Sequence, residues 1–153
     1  MKIRSITAFT PLTWPFAQGT MAGVGQFLDQ ARTRFDEIGI DVQTVRVATP
    51  PFLDVIGDPA PAVLLEFAQA LEVLTKRYHI DAASIGPVIA TTPLALLMSI
   101  HALPQLITET ENIFSGVMFA DDDSGINLTA AYAFAQVVNK VAHNTADGIG
   151  NFR

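Results

Sequence analysis

Runs of strand-like period alternate four times with runs of helical period along this chain, and that alternation restricts the fold more than any other feature. Residues 2–9 alternate, with Ile3, Ser5, Thr7 and Phe9 to one side and Lys2, Arg4, Ile6 and Ala8 to the other. From Met21 the period changes. Met21, Val24, Leu28, Ala31, Phe35 and Ile38 fall on one helical stripe, Asp29, Arg32, Asp36 and Glu37 lie off it, and Gly39 stands where a C-terminal cap belongs. Residues 40–49 are rich in β-branched side chains and read as a second strand, ended by Pro50 and Pro51. Asp58-Pro59 is a helix start, a side-chain cap followed by a proline where no N–H is needed. Val63, Phe67, Leu71, Leu74 and Tyr78 then form a buried stripe.

Residues 80–86 read as a third strand. Thr92-Pro93 opens a helix over 94–102 that is apolar nearly all round and is interrupted by Pro104. Residues 112–120 are a fourth strand and 121–125 a turn. Asn127 is placed to cap a last helix whose inner stripe is Ala131, Phe134, Ala135, Val138 and Ala142. Gly148 and Gly150 end it, and residues 151–153 could begin a fifth strand. Strand–helix alternation at this spacing implies right-handed crossovers and a largely parallel sheet, hence an α/β fold, read as a single domain over 1–153. Phe35, Phe67, Leu71, Phe134 and Val138 are expected to be buried.

Charge bounds the partners. Nine Lys plus Arg stand against fifteen Asp plus Glu, for a net charge of −6, with no basic run. Nucleic acid and anionic membrane are therefore not expected partners, because phosphate binding needs clustered positive charge. Only 16% of residues are charged, and Leu94, Leu96, Leu97, Met98 and Ile100 cannot all face one sheet at 3.6 residues per turn. Extra burial is expected, in a homo-oligomer or against a C-terminal part of the same protein. There is no cysteine, which removes disulfides and thiolate chemistry. Residues 1–9 have no hydrophobic signal core, and the apolar stretch 82–103 is broken by Pro87 and Pro93. A cytoplasmic protein is expected.

Four segments in this order carry a resemblance: Lys2-Ile3-Arg4-Ser5-Ile6-Thr7; residues 42–52, VQTVRVATPPF; Phe114-Ser115-Gly116-Val117 leading to Gly125-Ile126-Asn127; and the closing GIGNFR of 148–153. Together they resemble the uncharacterised bacterial and archaeal family known as domain of unknown function 711, whose members are much longer. The resemblance implies that this chain is the N-terminal portion of a pyruvate formate-lyase-like α/β barrel. It implies no catalytic residue, because the family has no established activity. Glycyl radical chemistry uses a cysteine thiyl radical, which this chain has no residue to form.

In parallel α/β architectures, ligands bind beyond the C-terminal ends of the strands. Four loops qualify: 10–18, 49–57, 86–92 and 120–126. The last holds Asp121, Asp122 and Asp123, whose oxygens suit a divalent metal, with Asp121 and Asp123 the candidate ligands; the alternative is a solvated acidic turn. Arg46 lies inside a strand otherwise suited to burial, and Arg4 is similarly placed. Each is either an anion-binding guanidinium in a barrel mouth, or half of a structural salt bridge, or a residue of an edge strand. Gly19, Gly23 and Gly25 lack the spacing of a dinucleotide turn and read as packing positions. Trp14 and Phe16 either line a pocket or cover a barrel end or a subunit contact. His79, His101 and His143 have no metal-ligand spacing and read as structural or exposed. Two functions follow: an enzyme acting on a small polar or anionic molecule, or a non-catalytic binding or assembly protein.

Overall fold

The computed structural model describes residues 1–17, 19–57, 60–91 and 97–153. Its centre is a four-stranded, wholly parallel sheet of β2 (Ile6–Phe9), β4 (Val45–Ala48), β5 (Ala82–Ile89) and β6 (Ile113–Met118), in that order. A short parallel pair, β1 (Lys2–Ile3) with β3 (Asp41–Val42), precedes β2 and β4 in the chain. The Thr44 hydroxyl spans the gap between the pairs by donating to the Arg4 carbonyl at 2.9 Å. A small antiparallel hairpin, β7 (Ala120–Asp121) with β8 (Gly125–Ile126), follows β6 and pairs none of the four main strands with another.

The helices are α1 (Thr20–Glu37), α2 (Phe52–Ile56), α3 (Pro61–Arg77), α4 (Leu97–Glu109) and α5 (Leu128–Asn144), then a 3-10 segment at Ala146–Phe152. Spatial order follows chain order without a reversal. With right-handed crossovers, such winding keeps every connecting helix on one face of the sheet. Val45, Val47, Ala83, Ile85 and Ile113 point into that layer and are at most 2% exposed. Phe52, Leu64, Phe67, Leu71, Ile100 and Leu106 meet them from the helices and are equally buried.

Local signals explain the helix ends. At the end of α1, Gly39 takes φ +73°, and the Ile40 N–H reaches back to the Phe35 carbonyl at 2.9 Å, closing a left-handed cap. The same closure follows α3, where Ile80 N–H donates to Thr75 and His79 itself holds φ +55°. Asn127 caps α5, its carboxamide oxygen accepting from the Ala130 N–H at 3.1 Å.

Four expectations need correction, and one falls where nothing is described. The inner stripe of α5 is Ala130, Ala133, Val137 and Val141, one residue earlier than the sequence pattern indicates; Val138 is 42% exposed and Phe134 half-buried. Both stripes are apolar, and the one without an aromatic ring faces inward because α5 packs closely on α4 and on Gly150. A methyl at Gly150 would stand 2.7 Å from Val141 Cγ1. Ile38 is exposed, since α1 has already ended at Glu37. Pro104 does not end its helix. It is buried inside α4, where the loss of one backbone hydrogen bond is offset by burial of Leu103, Leu106 and Ile107 around it. Residues 151–153 form no strand; they complete the 3-10 segment. Only the Arg153 carbonyl reaches β6, accepting from Ser115 N–H at 3.0 Å, while its guanidinium donates to the Ile107 and Thr110 carbonyls at the end of α4. Asp58-Pro59 and residues 92–96 lie outside the described residues. In the described part, α3 begins at Pro61 after Ala60, so the proline-first signal holds two residues later.

Candidate functional site

The face of the sheet opposite the helices presents polar, charged and aromatic side chains together. Parallel register sets its side chains in rows: Thr7 beside Arg46 and Ala82, then Phe9 beside Ala48, Ser84 and Phe114. Thr7, Arg46, Ala48, Ala82, Ser84 and Phe114 line a hollow of about 260 Å³. A second hollow, of about 360 Å³, adjoins it through Ala48 and is walled by Phe9, Thr10, Pro11, Thr49 and Pro50 at the C-terminal ends of β2 and β4. A hollow of about 520 Å³ runs along α1 between Phe27 and Glu37; one helix supplies all the walls described for it.

Arg46 is half-buried here. Its Nε donates to the Thr44 hydroxyl at 3.2 Å, and among the described residues no carboxylate lies within ion-pair range of it. Other arginines are spoken for. Arg32 pairs with Asp81 at 2.5 Å, Arg34 with Glu37 at 3.0 Å, Arg77 lies over the Tyr78 ring, and Arg153 binds helix carbonyls. Arg4 lies exposed between β1 and β2, so the burial expected of it is absent; its carbonyl, not its guanidinium, is engaged. Arg4 and Arg46 are linked through Thr44, which donates to the first and accepts from the second.

The aspartates lie beyond the far end of β6. Asp121 Oδ1 accepts from the Asp123 and Ser124 N–H groups at 3.0 and 2.5 Å. These bonds, the Ser124 amide foremost, hold its carboxyl below the usual carboxylate range, with the Ser124 and Thr91 hydroxyls adding to the effect. Asp122 and Asp123 are exposed. Among the described residues no three His, Asp or Glu side chains converge as metal ligands would, and no hydrogen bond or ion pair joins the aspartates to Arg46. Trp14 and Phe16 lie edge-on and tilted against Phe67, with centroids 5.4 and 5.3 Å away, so they cover one end of the helix layer. Of the three glycines read as packing positions, Gly25 is one, its Cα side filled by Tyr78, whereas among the described residues a methyl at Gly19 or Gly23 would meet nothing within 4 Å. His79, His101 and His143 are exposed.

A bulge in β5 between Ser84 and Pro87 shapes the rim. Gly86 sits there at φ +73°, so close to the Pro50-Pro51 turn that a methyl would stand 2.7 Å from Pro51 Cα. The Ser115 hydroxyl donates to the Gly86 carbonyl at 2.9 Å and fixes the bulge from the neighbouring strand.

The whole chain, residues 1–153, matches the family described as Uncharacterised ACR (DUF711). The chain belongs to this family. Among its DUF711 relatives is a UPF0210 protein of Desulfovibrio desulfuricans, 28% identical over 146 residues that cover 88% of this chain and 31% of the relative. Another is a UPF0210 protein of Listeria monocytogenes serotype 4b, 27% identical over 118 residues, 74% of this chain and 26% of the relative. A third, from Methanococcus aeolicus, is 27% identical over 139 residues, 82% and 30%. The chain thus spans between a quarter and a third of the length of these relatives.

Sequence reasoning singled out Arg46 but missed Thr7, Ser84 and Phe114 beside it. The signal was present as strand alternation. It became readable only when the registers placed those positions on one side.

Proposed function

We propose that the helix-free sheet face of this DUF711 chain binds a small anionic molecule, and that the intact protein is an enzyme acting on it. Arg46 carries this reading: a half-buried guanidinium with no carboxylate partner among the described residues, in a hollow at the sheet's open face. A charge taken partly out of water is costly unless a counter-ion meets it, and an anionic ligand would supply one. Arg4 would add longer-range attraction from the lower edge of the same strands. The unreversed strand order supports the view that the intact protein continues the sheet toward a barrel, with this face inside. No described helix is long and apolar enough to cross a membrane; a cytoplasmic location is part of the proposal. The test is a titration of the intact protein with acetate and with inorganic phosphate. Saturable binding that Arg46→Gln weakens at least about tenfold supports the reading, given the strength of charge-assisted bonds. Binding indifferent to that substitution sinks it.

A second reading rests on a different surface. Leu128, Tyr132, Val138 and Phe152 on α5 and the 3-10 segment are between 42% and 80% exposed, an apolar face suited to a second copy or to further chain. Sedimentation across concentrations separates the two occupants: self-association that Tyr132→Asp abolishes points to a second copy, and a monomer at every concentration rules one out.

A further inference from the structure

We propose that the anion taken at Arg46 carries a flat apolar ring, so that the ligand is a planar, aromatic-type carboxylate; this rests on the anion-binding reading above. Phe9, Ala48, Ser84 and Phe114 occupy one level of four adjacent parallel strands. Neighbouring strands lie about 4.8 Å apart, which sets the two Phe Cα atoms roughly 14 Å apart across a floor of one methyl and one hydroxymethyl group. Together the two residues border a broad slot: Phe114 lines the same hollow as Arg46, Phe9 lines the hollow that adjoins it through Ala48, and the low base between them lets a ligand approach the backbone. Among the described residues, neither phenyl has a protein ring stacked on it, although Trp14, Phe16, Phe67, Phe119 and Phe134 all do. Phe9 is 84% exposed, which is costly for a large apolar side chain unless something covers it.

Arg46 stands two residues before Ala48 on β4, about 7 Å lower along the slot. A carboxylate held there by the two guanidinium Nη groups would project its attached ring up the strand, against the Phe114 phenyl that lines the same hollow. The fork geometry of arginine favours a planar carboxylate, and aromatic walls favour a planar π-system over an aliphatic chain. Phosphate and acetate satisfy the first element alone.

The experiment is a calorimetric titration of the intact protein with benzoate, acetate and inorganic phosphate, on the wild type and on the Arg46→Gln, Phe114→Leu and Phe114→Tyr variants. Benzoate is expected to bind about tenfold more tightly than acetate, in keeping with aromatic contact plus ring burial. Phe114→Leu should weaken benzoate more than acetate and so remove most of that preference, and Phe114→Tyr, which keeps the ring, should retain it. Equal affinity for benzoate and acetate, both lost in Arg46→Gln, overturns the ring while the anion site stands. Absence of binding by all three, or binding that Arg46→Gln leaves untouched, overturns the site and the ring together.

Discussion

The two faces of the sheet are made from alternate residues of the same four strands, yet they differ in every physical respect. On one, Val45, Val47, Ala83 and Ile113 lie under helices, at most 2% exposed. On the other, Thr7, Arg46, Ser84 and Phe114 meet no helix among the described residues and surround a hollow. On the helix-covered face Ser115 has its hydroxyl satisfied by the Gly86 carbonyl, and the apolar residues around it are chosen by volume and shape. The open face mixes a charge, hydroxyls and aromatic rings over small side chains, a poor recipe for a core and a good one for holding a polar ligand. Stability and ligand binding are therefore expected to separate by residue parity along each strand.

The strongest way to break that comparison is through the covered layer. Phe67→Ala empties a site of zero exposure under Trp14 and Phe16 and should cost about 3–5 kcal/mol in chemical denaturation. A loss below about 1 kcal/mol would mean that the layer does not carry the stability. The boundary of the layer is sharpened on α5, where Val137 is 5% and its neighbour Val138 42% exposed. Val137→Ala should lose about 1–2 kcal/mol and Val138→Ala no more than about 0.5. Reversed values would return the stripe to the one first read from the sequence. On the open face, Arg46→Gln should change unfolding free energy by less than about 1 kcal/mol, because no carboxylate is left unpaired. A loss several times larger would make Arg46 a structural residue.

The smallest effect concerns the acidic turn. Asp121's carboxyl is held below its ordinary range by the Ser124 and Asp123 amides. A depressed native pKa contributes stability that is present above the unfolded value and lost as pH falls through the native one. The Ser124 amide resonance should therefore hold steady through neutral and mildly acid pH and move only below the normal aspartate range. Movement near pH 4 or above would show that the turn does not grip its carboxylate. Because that oxygen is occupied by backbone donors, millimolar Mg²⁺ should leave the same resonance unmoved, and a saturable shift would restore the metal reading.

Much of the architecture was legible from period and punctuation. Every main strand, the cap at Asn127 and the left-handed turn at Gly39 depend on residues within a few positions of one another, so local sequence carried them. The α5 stripe did not, because Ala130, Ala133, Val137 and Val141 compete with an equally apolar stripe one residue on, and only packing on α4 and Gly150 chooses between them. Pro104 misled for a related reason: its local cost to a helix was outweighed by the burial of residues that surround it in space. Of the candidate site, Arg46 stood out as a charge in an apolar strand, whereas the aspartates stood out by composition, and of these the Asp121 carboxylate is held by the backbone of its own turn.

Alternation of periods along the chain by itself determined an α/β fold with parallel strands, because the two-residue and 3.6-residue repeats admit few other solutions and right-handed crossovers narrow them further. Tertiary structure alone decided which side chains share a surface. Thr7, Arg46, Ser84 and Phe114 are up to 107 residues apart in the chain and become neighbours only through interstrand register. Register is set by the whole sheet's demand that its apolar alternates face the helices, a condition that no single segment can express.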